Sequence, residues 1–475
     1  MATSSVASSS AGTLDVASLV SQLMAIERQP IDKLNTQISS YQTKISSFGT
    51  LSGMVSSFQT ALQGLNTSLS ANSATSSDTG VFSAAAASTA VPGTYALSVT
   101  NLAQSQNLVA AGQASSTATI GDGTATTITF DFGTISGGTL TAGIYSGAAF
   151  TSNGSGTKSI TIDGTNNTLQ GIRDAINAAK MGVTATIVND GSGTPYRLAL
   201  SSTSSGISNS LKISASGGDG TLGALLGYDP AGTQNLTQTV AAQNASATVN
   251  GIAITSASNT VTDAIQGVTL TLKNLTTAPT TLTVAHDSAA IGTAVSGFVD
   301  AYNALYSQLK SRSAYATAGT QAPALSGDGT VRLMMDQLRG VFNTAASGGT
   351  LTTLSQVGVS FQTDGSLKLD SSKLSSAMSS NFSDVTNLFT SGTGFATRLI
   401  AWAQSTLTPG GLIDTRTQSL NASIKGYNDQ ISRLEVRMAT LQKQYTTQYS
   451  NLNMLLSSMN STSAYLSQQL SKTSS

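Results

Sequence analysis

Apolar residues near the C-terminal end of the chain, Leu420, Ile424, Tyr427, Ile431, Leu434, Met438, Leu441 and Tyr445, follow one another at alternating steps of four and three. Leu452, Leu455 and Met459 extend the run. This spacing predicts a long helix with a narrow a/d seam, as in a coiled coil, rather than a surface helix with a broad apolar stripe. About 40 residues at 1.5 Å each give a helix on the order of 60 Å long. A second seam of the same kind lies near the N-terminus: Leu34, Ile38, Tyr41, Ile45, Phe48, Leu51, Val55, Phe58, Leu62, Leu65 and Leu69. Two successive steps of three at Ile45, Phe48 and Leu51 make one local stammer. Gly49, Gly53 and Gly64 each cost roughly 1 kcal/mol of helix propensity, so packing must hold this helix. Each seam is the natural partner of the other, with Tyr41–Leu69 against Leu420–Tyr445 and the rest of the chain inserted between them. Ahead of the first seam, Leu14, Leu19, Val20, Leu23 and Ile26 mark a short helical pattern. Pro30 predicts a break at Gln29 and a restart at Ile31.

From about Ser76 the period changes to two. Thr94–Val99 alternates as a half-buried strand after Pro92-Gly93. Residues 109–158 are rich in Gly, Thr and Ser, with short apolar pieces such as Ile128–Phe132, and predict strands and loops of an exposed domain. Residues 159–213 predict a βαββ module: strand Ser159–Asp163, capped helix Asn167–Asn177, strand Val183–Val188, strand Tyr196–Leu200. Strands return over 244–285, with an Asn250-Gly251 hairpin turn. Helical periodicity resumes from Ile291 to Leu309, then over Val331–Phe342 and Phe395–Leu407. A small hairpin is expected around Asp364-Gly365. The fold class is α+β and multidomain: N- and C-terminal helices form a coiled-coil or helical-bundle stalk with inserted β-rich head domains.

The 475 residues are too many for one core. Lys plus Arg is 22 and Asp plus Glu is 22, and only 9% of residues are charged, against roughly 25% in ordinary domains. A neutral chain offers no electrostatic pull toward nucleic acid or an anionic membrane surface. It has no run of 18 apolar residues to insert in a membrane. Weakly charged polar surfaces can pack on copies of themselves with little charge to desolvate. Cysteine is absent, which removes disulfides, thiolate catalysis and cysteine metal sites. The first basic residue is Arg28, so no charged region of a secretory signal peptide is expected at the start.

Little here points to chemistry. Gly218–Gly223 has the spacing G-x-G-x-x-G, but Pro230 leaves room for a helix of only a few residues, so a loop is expected. His286-Asp287-Ser288 are sequence neighbours at a strand-to-helix junction, and Asp287 and Ser288 suit a helix cap better than a hydrolase triad. Asp-Gly pairs at 122, 163, 190, 219, 328 and 364 lack the ligand spacing of a calcium loop and predict turns. Glu27 and Glu435, the chain's two glutamates, lie at opposite ends. No enzyme, cofactor or metal is expected. A secreted surface adhesin acting through residues 76–285 is the alternative function, and a hydrolase the third class.

Taken together, the ordered blocks resemble the flagellar filament-capping proteins, the hook-associated protein 2 (FliD) family, over nearly the whole chain. The resemblance rests on Leu14-Asp15-Val16, Leu19-Val20, Leu23-Met24, Tyr41 and Lys44–Leu51 at the N-terminus. In the middle it rests on Ile172–Asn177, similar to the insertion motif of flagellins and hook proteins, and on Val249–Ile252, Ser258–Ala264, Gln266–Leu272 and Phe298–Asn303. The C-terminal end adds Gly411–Ile413, Leu456–Asn460 and Ser463–Leu466.

The resemblance implies a non-enzymatic, homo-oligomeric ring at the distal filament tip. The ring would help exported flagellin fold and insert and would prevent its loss. It implies export by the flagellar secretion apparatus without a cleaved signal, and partners in flagellin, the hook-filament junction protein and a cytosolic export chaperone that binds the C-terminal helix. The expected division is 1–40 with 441–475 as terminal helical legs, largely disordered alone, and 41–75 with 286–440 as the helical coiled-coil stalk. Residues 76–158 with 243–285 form the first head domain, and 159–242 the second. The expected stalk seam is Tyr41, Ile45, Phe48, Leu51, Val55, Phe58, Leu62, Leu420, Ile424, Tyr427, Ile431, Leu434, Met438 and Leu441. The expected partner-binding residues are Leu14, Leu19, Val20, Leu23, Leu452, Leu455, Met459 and Leu466. Gln448, where the seam lacks an apolar residue, should divide paired helix from interface.

Overall fold

In the computed structural model, helix α1 runs without interruption from Val16 to Ser68. The structure describes residues 15–316, 319 and 321–473, with side chains of the last helix described to 471; Leu14 lies outside this range. Asp15 caps α1 by accepting from the Ser18 amide at 3.0 Å. The expected break at Gln29 does not occur: Pro30 lies inside the helix. Proline there forfeits one backbone bond, to the carbonyl of Ile26. Ile26 is 62% exposed, so water can take the vacant place. Burial of Ile31 at 3% exposure holds the turn that follows.

The chain folds as a helical unit, residues 1–69 with 288–475, and a β-rich unit, residues 70–287. The β-rich unit contains, in chain order, β1 (Asn72–Ser76), β2 (Phe82–Ala86), β3 (Gly93–Asn101), β4 (Asn107–Ala110), β5 (Thr126–Thr141), β6 (Ile144–Ser152), β7 (Lys158–Ile162), helix α2 (Leu169–Ala179), β8 (Val183–Asn189), β9 (Tyr196–Ser202), β10 (Ser210–Gly217), α3 (Thr221–Leu226), β11 (Leu236–Val240), β12 (Ala245–Val249), β13 (Ile252–Ser256), β14 (Thr260–Ile265), β15 (Val268–Leu272) and β16 (Thr280–His286).

Two cores share this unit. One lies between the sheet β1-β16-β3-β12-β13 and the sheet β14-β15-β2, with Phe82, Leu97, Leu270 and Leu282 fully buried. The other lies among the sheet β10-β5-β6 with β7, the sheet β11-β4-β9-β8, and α2. The chain enters the second core after β3 and leaves it before β12, so it is an insertion within an insertion. The expected boundary at 158 is therefore corrected. Strand β5 pairs with β7 and β10 and sends Ile128 and Phe130 into the same core as Ile172 and Leu200. Alternation over Ile128–Phe132 marks a strand locally, but its partners lie about 30 and 80 residues downstream.

Two local devices are legible in the residues. At the hairpin of β12 and β13, Asn250 and Gly251 take φ of 50° and 82°, the positive values a two-residue turn requires. In α2, Thr168 accepts from the Gly171 amide, Ile172 and Ile176 are fully buried one turn apart, and the Asn177 amide both donates to and accepts from the Ala185 backbone at 2.8 Å. Asn177 thus ties the helix to β8.

The helical unit continues with α4 (Ser288–Ser313), α5 (Gly329–Asn343), the hairpin β17 (Val359–Phe361) with β18 (Leu367–Leu369), α6 (Ser371–Thr390), α7 (Phe395–Leu407) and α8 (Leu412–Thr473). The sequence pattern missed α6, whose Ser-rich face hides an apolar stripe of Leu374, Met378, Val385 and Leu388. Phe58 of α1 sits at the centre of the core, with ring contacts to Phe298 at 6.1 Å, Tyr302 at 6.3 Å and Trp402 at 6.4 Å. Asp328 caps α5 through the Thr330 amide and binds Arg416 of α8 at 2.8 Å.

Candidate assembly surfaces

The two chain ends meet as an antiparallel helix pair. Tyr41 and Tyr427 face each other, with ring centroids 5.6 Å apart and hydroxyls at 3.4 Å, and the Lys44 ammonium lies 5.6 Å from the Tyr41 ring. The shared hydroxyl bond raises the Tyr427 pKa by stabilising its neutral form. On α8, Leu420 is buried, and Ile424, Tyr427, Ile431, Leu434, Met438 and Leu441 are half-buried, with exposed residues between them. On α1, Tyr41 and Ile45 are half-buried, and Phe48, Leu51, Val55, Phe58 and Leu62 are fully buried.

The register differs from the expected pairing. Glu435, Met438, Ala439, Gln442 and Thr446 line a groove with Val16–Ile31, not with Tyr41–Leu69. The C-terminal half of α1 turns instead to α4 and α7, which meet it at Phe58. Both seams have the same spacing, so spacing cannot set their register. The larger aromatics of α4 and α7 claim the C-terminal half of α1.

The terminal residues separate into two kinds. Leu19 and Leu23 are half-buried, and Val20 is 6% exposed within the helix pair. They are not a detached end helix: residues 16–40 lie within α1, and residues 441–473 within α8. Paired burial supplies what propensity alone would not. Leu452, Leu455, Met459 and Leu466 are exposed, with Leu470 at 67% an addition the sequence pattern missed, although it lies one turn beyond Leu466. Counting 25 residues back from Tyr41 reaches Val16, and 25 forward from Tyr427 reaches Leu452. Beyond Leu452, α8 therefore extends past the first residue of α1. Helix α8 passes Gln448 without a break. Full burial of each exposed leucine or methionine would release about 1.5–3 kcal/mol.

The candidate chemistry resolves into turns. Asp122, Asp163, Asp190, Asp219, Asp328 and Asp364 each accept from the backbone amide two residues on, at 2.8–2.9 Å. That is the Asx turn these Asp-Gly pairs favour. Hydrogen bonds to the charged form lower the pKa of Asp163, Asp219 and Asp364, and the Arg197 hydrogen bond takes Asp190 to about 2. His286 Nδ1 lies 3.0 Å from Asn72 Oδ1, and desolvation lowers its pKa. Gly220 starts the six-residue α3, too short for a dinucleotide fold. Among the described residues no three His, Cys, Asp or Glu side chains cluster as a metal site, and no helix is long and apolar enough to cross a membrane.

These features define a class: an α+β protein whose two chain ends pair as long helices and whose middle is a nested β-rich insertion. Residues 12–106 match the flagellar hook-associated protein 2 N-terminus family, 242–461 the flagellar hook-associated protein 2 C-terminus family, and 149–204 the flagellin hook IN motif. The chain is 36% identical over 482 residues to flagellar hook-associated protein 2 of Escherichia coli K12, covering 97% of each. It is 32% identical over 469 residues to B-type flagellar hook-associated protein 2 of Pseudomonas aeruginosa PAO1, covering 94% of each. The crystal structure of the flagellar cap protein FliD D1-D2-D3 domains from Escherichia coli aligns with TM-score 0.66 at 35% identity, covering 79% of this chain and 99% of that one. The chain belongs to the flagellar hook-associated protein 2 family.

Proposed function

We propose that this protein caps the flagellar filament. It assembles with copies of itself into a ring at the distal tip, promotes folding and insertion of exported flagellin, and prevents flagellin loss, without catalysing a reaction. The observation that carries the reading is the exposed apolar end of α8, Leu452 to Leu470, on a chain whose relatives are named for the flagellar hook and cap. Such a face is unstable in water and suits reversible occupation by partner helices. Before export that partner is a cytosolic flagellar chaperone. Afterwards it is another cap subunit, flagellin or the hook-filament junction protein. The chain travels through the flagellar secretion apparatus without a cleaved signal. An adhesin would act through the β-rich unit alone, and the relatives above give that alternative no support.

Deleting the protein from its source cell should leave short or absent filaments and flagellin shed as monomer, with rescue by added protein. Removing residues 441–475 should abolish rescue even with the β-rich unit intact. Normal filaments in the deletion strain would refute the function.

A further inference from the structure

The groove along the helix pair has a volume of about 850 Å³. Half-buried Met24 and Met438 supply its accessible apolar surface over buried Val20 and Ile31, and exposed Ala25 and Ala439 are small enough to let another helix approach closely. It extends along α1 from Val16 to Ile31, on the order of 22 Å. The same chain also carries a helical segment in need of such a groove. Leu452, Leu455, Met459 and Leu466 follow at steps of three, four and seven, on a face roughly 27 Å long by Leu470. Between Lys443 and Lys472 there is no charged residue, so this stretch brings no charge of its own to bury; the charges it would meet in the groove are exposed Arg28 and Glu435, which keep contact with water. Groove and tail cannot satisfy each other within one molecule. Residues 435–446 form a wall of the groove, and uninterrupted α8 carries residues 452–470 onward from that wall.

We propose that the groove receives the α8 tail of a second copy of this chain, closing a three-helix seam between neighbouring subunits. This rests on the capping reading and adds the segments through which two subunits engage. The test places the photo-crosslinker p-benzoylphenylalanine at exposed Ala25 in the full chain, mixes it with isotopically labelled chain, irradiates, and maps the crosslinks by mass spectrometry. The expected product joins position 25 to residues 452–470 of the other isotope. Its yield should fall at least tenfold when the labelled copy carries Leu455→Asp and Leu466→Asp. Crosslinks confined to one copy, to residues 2–14, or to flagellin when that is added would overturn the proposal. Sedimentation of the same samples separates the two readings. Oligomers without the crosslink sink the groove proposal and leave the cap reading standing, whereas a chain that never oligomerises counts against both.

Discussion

Replacing Arg416 with Met should destabilise the helical unit far more than replacing Asp328 with Asn, although both remove the same ion pair. The Asp328 side chain is 2% exposed and that of Arg416 is 33% exposed. Asp328 Oδ2 accepts from Arg416 Nε at 3.1 Å and Nη2 at 2.8 Å, and Oδ1 accepts from the Thr330 amide at 2.9 Å. Arg416→Met strands a buried carboxylate with only its capping bond. Breaking a buried pair in this way costs 3–5 kcal/mol, and the remaining cap sets the expectation at about 3 kcal/mol. Asp328→Asn keeps an N-capping residue and leaves Arg416 free to turn toward water, so about 1 kcal/mol is expected. The double variant leaves no buried charge and should cost little more than Asp328→Asn alone, a coupling of about 3 kcal/mol. Trp402 is the only tryptophan and lies in the helical core, so its fluorescence during urea unfolding reports this unit. With a slope of about 3 kcal/mol/M, Arg416→Met should lower the midpoint by about 1 M. Equal costs for the two single variants would refute the reasoning, because the asymmetry follows from burial alone.

Three other outcomes are expected. Asn177→Ala should destabilise the inner β-rich core by about 1–3 kcal/mol, since it leaves both Ala185 backbone groups without their partner; unchanged hydrogen-exchange protection at Ala185 would contradict this. Acid should loosen the β-rich unit first. Asp163, Asp190 and Asp219 have depressed folded-state pKa values there, against Asp364 in the helical unit. A depressed carboxylate contributes stability above its unfolded value near 4 and loses that contribution as pH falls through its folded value, near 2 for Asp190. Hydrogen exchange at pH 3 against pH 6 should show the larger loss of protection in residues 70–287, and equal losses would count against the argument. Chymotrypsin should trim the isolated protein from Leu470 back to the region between Gln448 and Leu452 and pause there. Rapid cleavage at Tyr427 would show that the helix pair does not protect the seam.

Much of the architecture is readable from pattern alone. Two seams with steps of three and four identify the long end helices, and period two between them identifies the β-rich insertion. The Asp-Gly pairs predict turns because a carboxylate reaching the amide two residues on is a local event. The bounds of α7 and the hairpin at Asn250-Gly251 are local in the same sense. Pro30 reads as a break and is not one, because a proline's cost depends on whether the freed carbonyl meets water, and exposure is decided by the partner helix.

Which of several equivalent surfaces meets which is settled by folding and not by local pattern. Tyr41 opposite Tyr427 sends the α8 seam beyond Tyr427 toward Val16–Ile31, because Phe298, Tyr302 and Trp402 occupy the other half of α1. Strand β5 joined β7 and β10, and Asp328 found Arg416 across 88 residues. Periodicity records that a residue seeks burial, and turn chemistry records a bond to a near neighbour. Register and long-range pairing are settled by competition among side chains for the same core, and that competition exists only once the chain has folded.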